Sequence, residues 1–384
     1  MSKYIGSFLI NIQVIAGINQ TTIITKDGNA DPKVKVFACG LNDKGQLGLC
    51  NDTVCIHTLT ALPTLPDGKV AKQLVAAKKY TMIMAEDATV FGCGHNFSRQ
   101  FGLSDNANRN TFTVVPTLLN RNVIKQIAAS DFHTMILAEN GTVFGCGCNS
   151  SGELGLGDDT DRSTFTTVPP LLGGMAAKQV TTGESHTMIL TEDGTVFTCG
   201  CNLYGQLGLG DDTYRSTFTF TTVPPLLGGM VAKQVISGTH HTMILTQDGK
   251  VFACGYNAHG QLGLGDTTNR CTFTTMPAPL KIVVARQVNA GNCHTTILTE
   301  DGTVFTCGDN YHGQLGMGDD TDRKTFTAVT TLPEGVVARK VIAGAFHTII
   351  LTQYDRVFAC GGNKYGQLGL GDATNRDTFT EVPL

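Results

Sequence analysis

The pair Cys-Gly followed two residues later by Asn stands at Cys39, Cys93, Cys146, Cys199, Cys254, Cys307 and Cys360, at steps of 54, 53, 53, 55, 53 and 53 residues. A unit written seven times at a fixed period constrains the fold more than any other feature of the chain. One copy cannot bury its apolar surface alone, so the copies must pack on one another. The unit from Ala177 to Pro225 contains four short runs rich in β-branched and aromatic residues: Lys178–Thr182, His186–Thr191, Thr195–Cys199 and Thr217–Val223. Gly, Asp, Asn or Pro bounds each run, which is the signature of strands joined by turns. Between the second and third runs, Glu192-Asp193-Gly194 reads as a tight hairpin turn, with Gly194 supplying a positive φ. In the second run His186, Met188 and Leu190 alternate with Thr187, Ile189 and Thr191, so both faces carry apolar groups, as in a sheet packed between two others.

These features predict an all-β chain: a seven-bladed β-propeller with four antiparallel strands per blade, A to D, forming a single domain over residues 1–384. An open β-solenoid would use shorter units. The first set begins at Ile10–Gly17 and the last ends at Thr378–Leu384. Nothing in the unit has helical periodicity.

Composition limits the functions available. A formal charge of −4 and a pI near 6.2, with no Lys/Arg run, offer no attraction for nucleic acid. No apolar stretch reaches the roughly 18 residues needed to span a bilayer. Asn11 and Gln13 interrupt the apolar run of Met1–Gly17, which therefore reads as the first strand A and not as a secretion signal. Seven of the 13 Cys occupy one equivalent position, the pattern of a small buried side chain and not of a disulfide network, so a reducing, cytoplasmic compartment is expected. No Cys-x-x-Cys spacing supports a zinc ribbon.

The motifs Gly-x-x-His-Thr, Asp-Gly-x-Val-Phe and Cys-Gly-x-Asn-x-x-Gly-Gln-Leu-Gly-Leu-Gly resemble the repeat of the regulator of chromosome condensation family over residues 10–384. The Gly-Gln-Leu-Gly-Leu core stands at Gly45–Leu49, Gly205–Leu209, Gly260–Leu264 and Gly366–Leu370. The family's founding member is the exchange factor for the small GTPase Ran. The resemblance therefore implies a non-enzymatic, monomeric propeller that binds a Ran-like small GTPase and promotes GDP release. Other members are ubiquitin-ligase modules, a plant ultraviolet-B photoreceptor and a bacterial enzyme inhibitor, which leaves a binding scaffold or inhibitor as the alternative. The photoreceptor uses clustered Trp, and this chain has none. Nucleosome binding is not expected, because the basic amino-terminal tail of the chromatin-bound member has no counterpart before the first strand. The near-uniform units also resemble those of bacterial effectors acting on host GTPases, which would place the protein in a host cytosol.

Antiparallel order puts the A-to-B and C-to-D loops on one face, where the units differ most, and the uniform B-to-C turns on the other. By motif position the resemblance singles out Asp131, Glu184 and His240 as GTPase contacts, with Tyr80 and Phe132 in the same loops. Ordinary solvated loop acids remain the alternative for Asp131 and Glu184. The C-to-D loops add Tyr204, Tyr256, His259, Tyr311, His312 and Tyr365, residue types typical of partner surfaces.

The recurrent His133, His186, His241, His294 and His347 suggest a metal ring, but Gln20 and Tyr80 break it, and a structural hydrogen-bonding role is expected instead. No metal, cofactor or catalytic residue is assigned. The run at 155–161, Gly-Leu-Gly-Asp-Asp-Thr-Asp, has the look of a cation loop, yet Arg162, Arg215, Arg270, Arg323 and Arg376 follow the acids and point to local ion pairs. Unit two departs most, with Arg99 for Gly, Phe101 for Leu, and Lys78-Lys79-Tyr80. The first unit carries an insertion, Asn29 to Lys35.

Overall fold

In His186–Thr191 all six side chains are buried, because each face of this strand lies against a neighbouring sheet. The computed structural model describes residues 11–26, 34–50, 53–116, 123–213, 221–222, 230–277 and 284–384. It contains seven four-stranded antiparallel sheets, each built from four consecutive strands. Blade 6, for example, comprises Ala285–Ala290, His294–Thr299, Val304–Gly308 and Arg323–Ala328. The expected strands A, B and C of unit four appear as Ala177–Thr182, His186–Thr191 and Val196–Gly200. Its strand D is described only at Thr221–Thr222; positions 217–220 and 223 of that expected strand lie outside the described residues, as does most of the Asn29 to Lys35 insertion. Two single-turn 3-10 helices, Pro66–Gly68 and Leu172–Gly174, are the helical elements among the described residues.

The core is divided among the blade interfaces. Met243, Leu245 and Leu262 of blade 5 pack with Val288 and Ile297 of blade 6. Blade 7 meets blade 1 in the same way, through Ile349, Leu351 and Leu368 against Ile12, Val14 and Ile23. Among the described residues the ring therefore closes by packing between the first and last blades, each of which is built from four consecutive strands.

The repeated polar residues form a belt through that core. His294 Nε2 lies 3.0 Å from Thr348 Oγ1 of the next blade, and that hydroxyl donates to the Gln314 carbonyl at 2.6 Å. Since the hydroxyl has one proton and has given it away, it accepts from Nε2–H, which fixes the tautomer. The same link joins His133 to Thr187, His186 to Thr242 and His241 to Thr295, and His347 to Thr21 across the closure at 3.0 Å. Tyr80 replaces His with its hydroxyl 2.9 Å from Thr134 Oγ1, and Gln20 accepts from Thr81 through Oε1. The His ring is thus structural, as expected. Gly344 is required beside it, since a Cβ there would lie 2.3 Å from His347 Cε1.

The seven repeated thiols add a second set of interblade contacts. Cys360 donates to the same Gln314 carbonyl at 3.5 Å, and Cys39 crosses the closure to the Gln367 carbonyl at 3.6 Å. They are hydrogen-bond donors as well as packing groups, and burial pushes the Cys39 thiol up to about 12. All 13 Cys are free.

Candidate functional site

The C-to-D loops of blades 2, 3, 5, 6 and 7 are built on one skeleton that fixes where their variable residues point. In blade 5 the Asn257 amide donates to the Asp266 carbonyl at 3.1 Å while its Oδ1 accepts from Leu262 N–H at 2.9 Å. Arg270 Nη2 then closes the loop on Asp266 Oδ2 at 2.5 Å. Arg162, Arg323 and Arg376 pair in the same way with Asp158, Asp319 and Asp372, so the acids of these loops are local ion pairs, as the recurrent Arg indicated. Arg215 lies outside the described residues. The Arg partners hold Asp158 and Asp372 below the ordinary carboxylate range.

At the centre of the same face the A-to-B loops of all seven blades surround a depression of about 190 Å³. Its charge is concentrated on one side, on Lys78 of blade 2, Asp131 of blade 3 and Glu184 of blade 4; the other blades contribute neutral residues such as Thr239, Asn292 and Ala345. Asp131 Oδ1 accepts the Lys78 backbone N–H at 3.1 Å, and Lys78 Nζ stands 3.6 Å from Oδ2. Burial nevertheless dominates: it raises Asp131 to about 6 against the opposing effect of Lys78, with the negative charge of Glu184 adding to the rise. Glu184 goes the other way. His240 Nε2 lies 3.1 Å from its Oε2, and this hydrogen bond lowers the Glu184 carboxyl despite partial burial.

The acidic arc runs directly into an aromatic group on blades 4 and 5. Ring centroids of Tyr204 and His240 are 5.3 Å apart, Tyr204 and Tyr256 4.8 Å, and Tyr256 and His259 6.4 Å. Asp131, Glu184, His240, Tyr204, Tyr256 and His259 therefore form one continuous patch. A second group joins Tyr311, 76% exposed, to His312 at 5.0 Å and His312 to Phe346 at 5.4 Å. Tyr365 stands apart with Lys364 over its ring at 5.5 Å, and Phe132 is partly exposed beside Asp131.

Tyr80 requires correction: it is fully buried and belongs to the belt, not to the surface. Its hydroxyl also donates to the His133 carbonyl at 3.1 Å, and its ring meets Phe101 edge-on at 5.4 Å. Phe101 in turn occupies space left at Gly92, where a Cβ would come within 2.7 Å of the Phe ring. The irregular residues of unit two are mutually fitted packing, and Arg99 takes the positive φ, 60°, that the missing Gly would have taken.

Sequence comparison of the units gave no weight to Lys78 as a partner of Asp131, or to Asp309 and Asp322. Asp309 was detectable, since Leu41, His95, Cys148, Cys201, Tyr256 and Gly362 stand at its position in the other units.

The sequence profile described as the RCC1-like domain matches residues 5–337 and 177–384. The ultraviolet-B receptor UVR8 of Arabidopsis thaliana is 31% identical over 344 residues, 89% of this chain and 76% of that protein. The secretion-regulating guanine nucleotide exchange factor of Bos taurus is 32% identical over 242 residues, 59% of this chain, and the chain spans 49% of that protein's length. Among solved structures, yeast RCC1 (Prp20), determined bound to Kap60, superposes with a TM-score of 0.80 at 21% identity, over 99% of this chain and 86% of that one. At that identity the superposition speaks for the seven-bladed fold.

Proposed function

The chain belongs to the RCC1-like domain family, and from that premise we propose that it is a regulator of the guanine-nucleotide-exchange type. In this reading the face of A-to-B and C-to-D loops grips a small GTPase, Ran-like as the first candidate, favours its nucleotide-free form and so promotes GDP release. The observation that carries the reading is the continuous patch from Asp131 through Glu184 and His240 to Tyr204 and Tyr256. It combines a desolvated acid with aromatic anchors, the composition of a binding hot spot. A relative whose name records exchange activity, the bovine secretion-regulating factor, supports the same direction. No bond is made or broken by the propeller. Reciprocal linkage does the work, since a protein that weakens nucleotide binding is itself released to the same degree when nucleotide returns.

Release of fluorescent GDP from Ran tests this. Wild-type protein accelerates release, and Asp131→Ala, Glu184→Ala and His240→Ala reduce the acceleration about tenfold or more each, the scale of a hot-spot truncation. Unchanged release by wild type overturns the Ran assignment, and acceleration untouched by the three variants overturns the site.

A second reading, a binding scaffold or enzyme inhibitor on the same face, draws on one observation. The described C-to-D loops of blades 2, 3, 5, 6 and 7 keep the same short Asn–Asp–Arg skeleton, and none of them carries an inserted wedge. Binding of Ran without faster release is the outcome that selects it.

A further inference from the structure

At the boundary between blades 5 and 6, His259, the outer end of the aromatic patch, meets two carboxylates, Asp309 and Asp322, that the patch does not use. His259, from the C-to-D loop of blade 5, points across to Asp322, the residue preceding strand D of blade 6, with Nδ1 3.1 Å from Oδ2. Asp309, directly after strand C of blade 6, joins them, and one ligand atom from each of the three lies within 4.8 Å of the others. All three side chains are partly exposed, so the approach from solvent is open.

The carboxylates are held from behind. Asp322 uses Oδ1 to accept Asn310 N–H at 2.9 Å, leaving Oδ2 for the cluster. Asp309 accepts Tyr311 N–H at 3.1 Å on Oδ1 and Gln314 Nε2–H at 2.7 Å on Oδ2, while its own N–H is fixed on the Cys293 carbonyl at 2.8 Å. Outer hydrogen bonds of this kind orient carboxylate ligands while leaving lone pairs for a cation.

The repeat supplies its own comparison. One blade further on, His312 stands in the place of His259 and meets Asn375, 3.4 Å from its Nδ1, where blade 6 has Asp322; Gly362 replaces Asp309. Loop geometry is the same and both negative charges are gone. Among the described residues, the convergence of one imidazole and two carboxylates is therefore particular to the blade 5–6 boundary and not a by-product of the fold.

We propose that His259, Asp309 and Asp322 form a site for a divalent transition-metal ion, Zn²⁺ being the best fit, bridging blades 5 and 6. An imidazole nitrogen favours Zn²⁺ over Mg²⁺ or Ca²⁺, which prefer all-oxygen shells. Bonds of about 2.1 Å set at tetrahedral angles place donors roughly 3.4 Å apart. The His259–Asp322 pair already meets that spacing, and small rotations bring in Asp309. Three protein ligands leave the fourth position to water or to a partner's side chain.

The test uses the full chain, kept reduced, titrated with Co²⁺ as a spectroscopic probe for Zn²⁺, with Zn²⁺ competition. Wild type binds one equivalent with a visible d–d band that Zn²⁺ abolishes. His259→Tyr, Asp309→Gly and Asp322→Asn, each the residue a sister blade carries there, weaken binding about tenfold or more. His312→Tyr does not. Unfolding midpoints measured without metal confirm that the variants are folded. Absence of a band in wild type, or a band that survives all three substitutions because the ion sits on surface thiols, overturns the proposal.

Discussion

At the scale of single residues, the buried belt makes the protein sensitive to acid. Burial lowers His133, His186, His241 and His347 from 6.5 to about 3 and His294 to about 4. The unfolded chain therefore takes up these protons first as pH falls. Their contribution is complete above about pH 6.5 and is lost progressively down to about 3. Chemical unfolding at pH 7.5 and pH 5 measures this, with lower stability and net proton uptake on unfolding expected at pH 5. Replacing one acceptor isolates a single link. Thr348→Val strands His294 Nε2–H and costs about 1–3 kcal/mol in the same assay.

Asp131 behaves with the opposite sign. Its folded value, about 6, lies above its ordinary 3.8, so its stabilising share is complete below pH 3.8 and is lost as pH rises through 6. At neutral pH the ionised group is held at a cost. Asp131→Asn keeps the acceptor for Lys78 N–H and is expected to raise stability at pH 7 by about 1–2 kcal/mol, allowing for the lost attraction of Lys78, while weakening GTPase binding. A gain in stability paired with a loss of binding marks a functional acid; a solvated loop acid would give neither.

Among elements, the C-to-D loop has little tolerance because it is wedged against the next blade. Gly205 has φ of 78°, and a Cβ there would lie 2.4 Å from Cys271 Cα of blade 5. Gly205→Ala is expected to cost more than about 2 kcal/mol through combined strain and displacement, visible as a lower thermal midpoint. This level of structure was largely legible in the sequence. Strands B and C and the Gly-bearing turns follow from local alternation and turn chemistry, and the Arg–Asp pairs from spacing alone. What the pattern concealed depends on contacts about one repeat away. Tyr80 reads as a loop aromatic because it follows Lys78-Lys79 and lacks the motif His; it is the first residue of strand B and is buried because it substitutes for the belt His. Bulges displace Lys72, Lys125, Lys178, Lys233, Arg286 and Arg339 in strand A, and blade 1, with Ile12 at that place, pairs without one. Likewise, Asp131 is raised by burial and by the charge of Glu184 from the next repeat, against the pull of Lys78 from the one before, so no window of one unit reveals it.

For the molecule as a whole, cohesion comes from seven similar interfaces and not from covalent staples. Reductant is accordingly expected to leave the thermal midpoint unchanged. A thiol reagent should label the exposed Cys50 first and reach Cys146, Cys254 and Cys360 only on unfolding, which mass spectrometry of partially labelled protein can resolve. Every interface carries the same kind of load, including the one where the chain ends meet. There the His347–Thr21 bond and the packing of Ile349 on Ile23 do what peptide continuity assists elsewhere.

That closure has an evolutionary reading. In a ring latched by exchanging a strand between its ends, the first and last units are specialised and copying one of them breaks the latch. Here each blade is a self-contained stretch of chain, so a gene segment of about one period can be duplicated or deleted without touching any other blade's strands. The likeness of the units from Ala177 onward is what a history of such copying would leave behind.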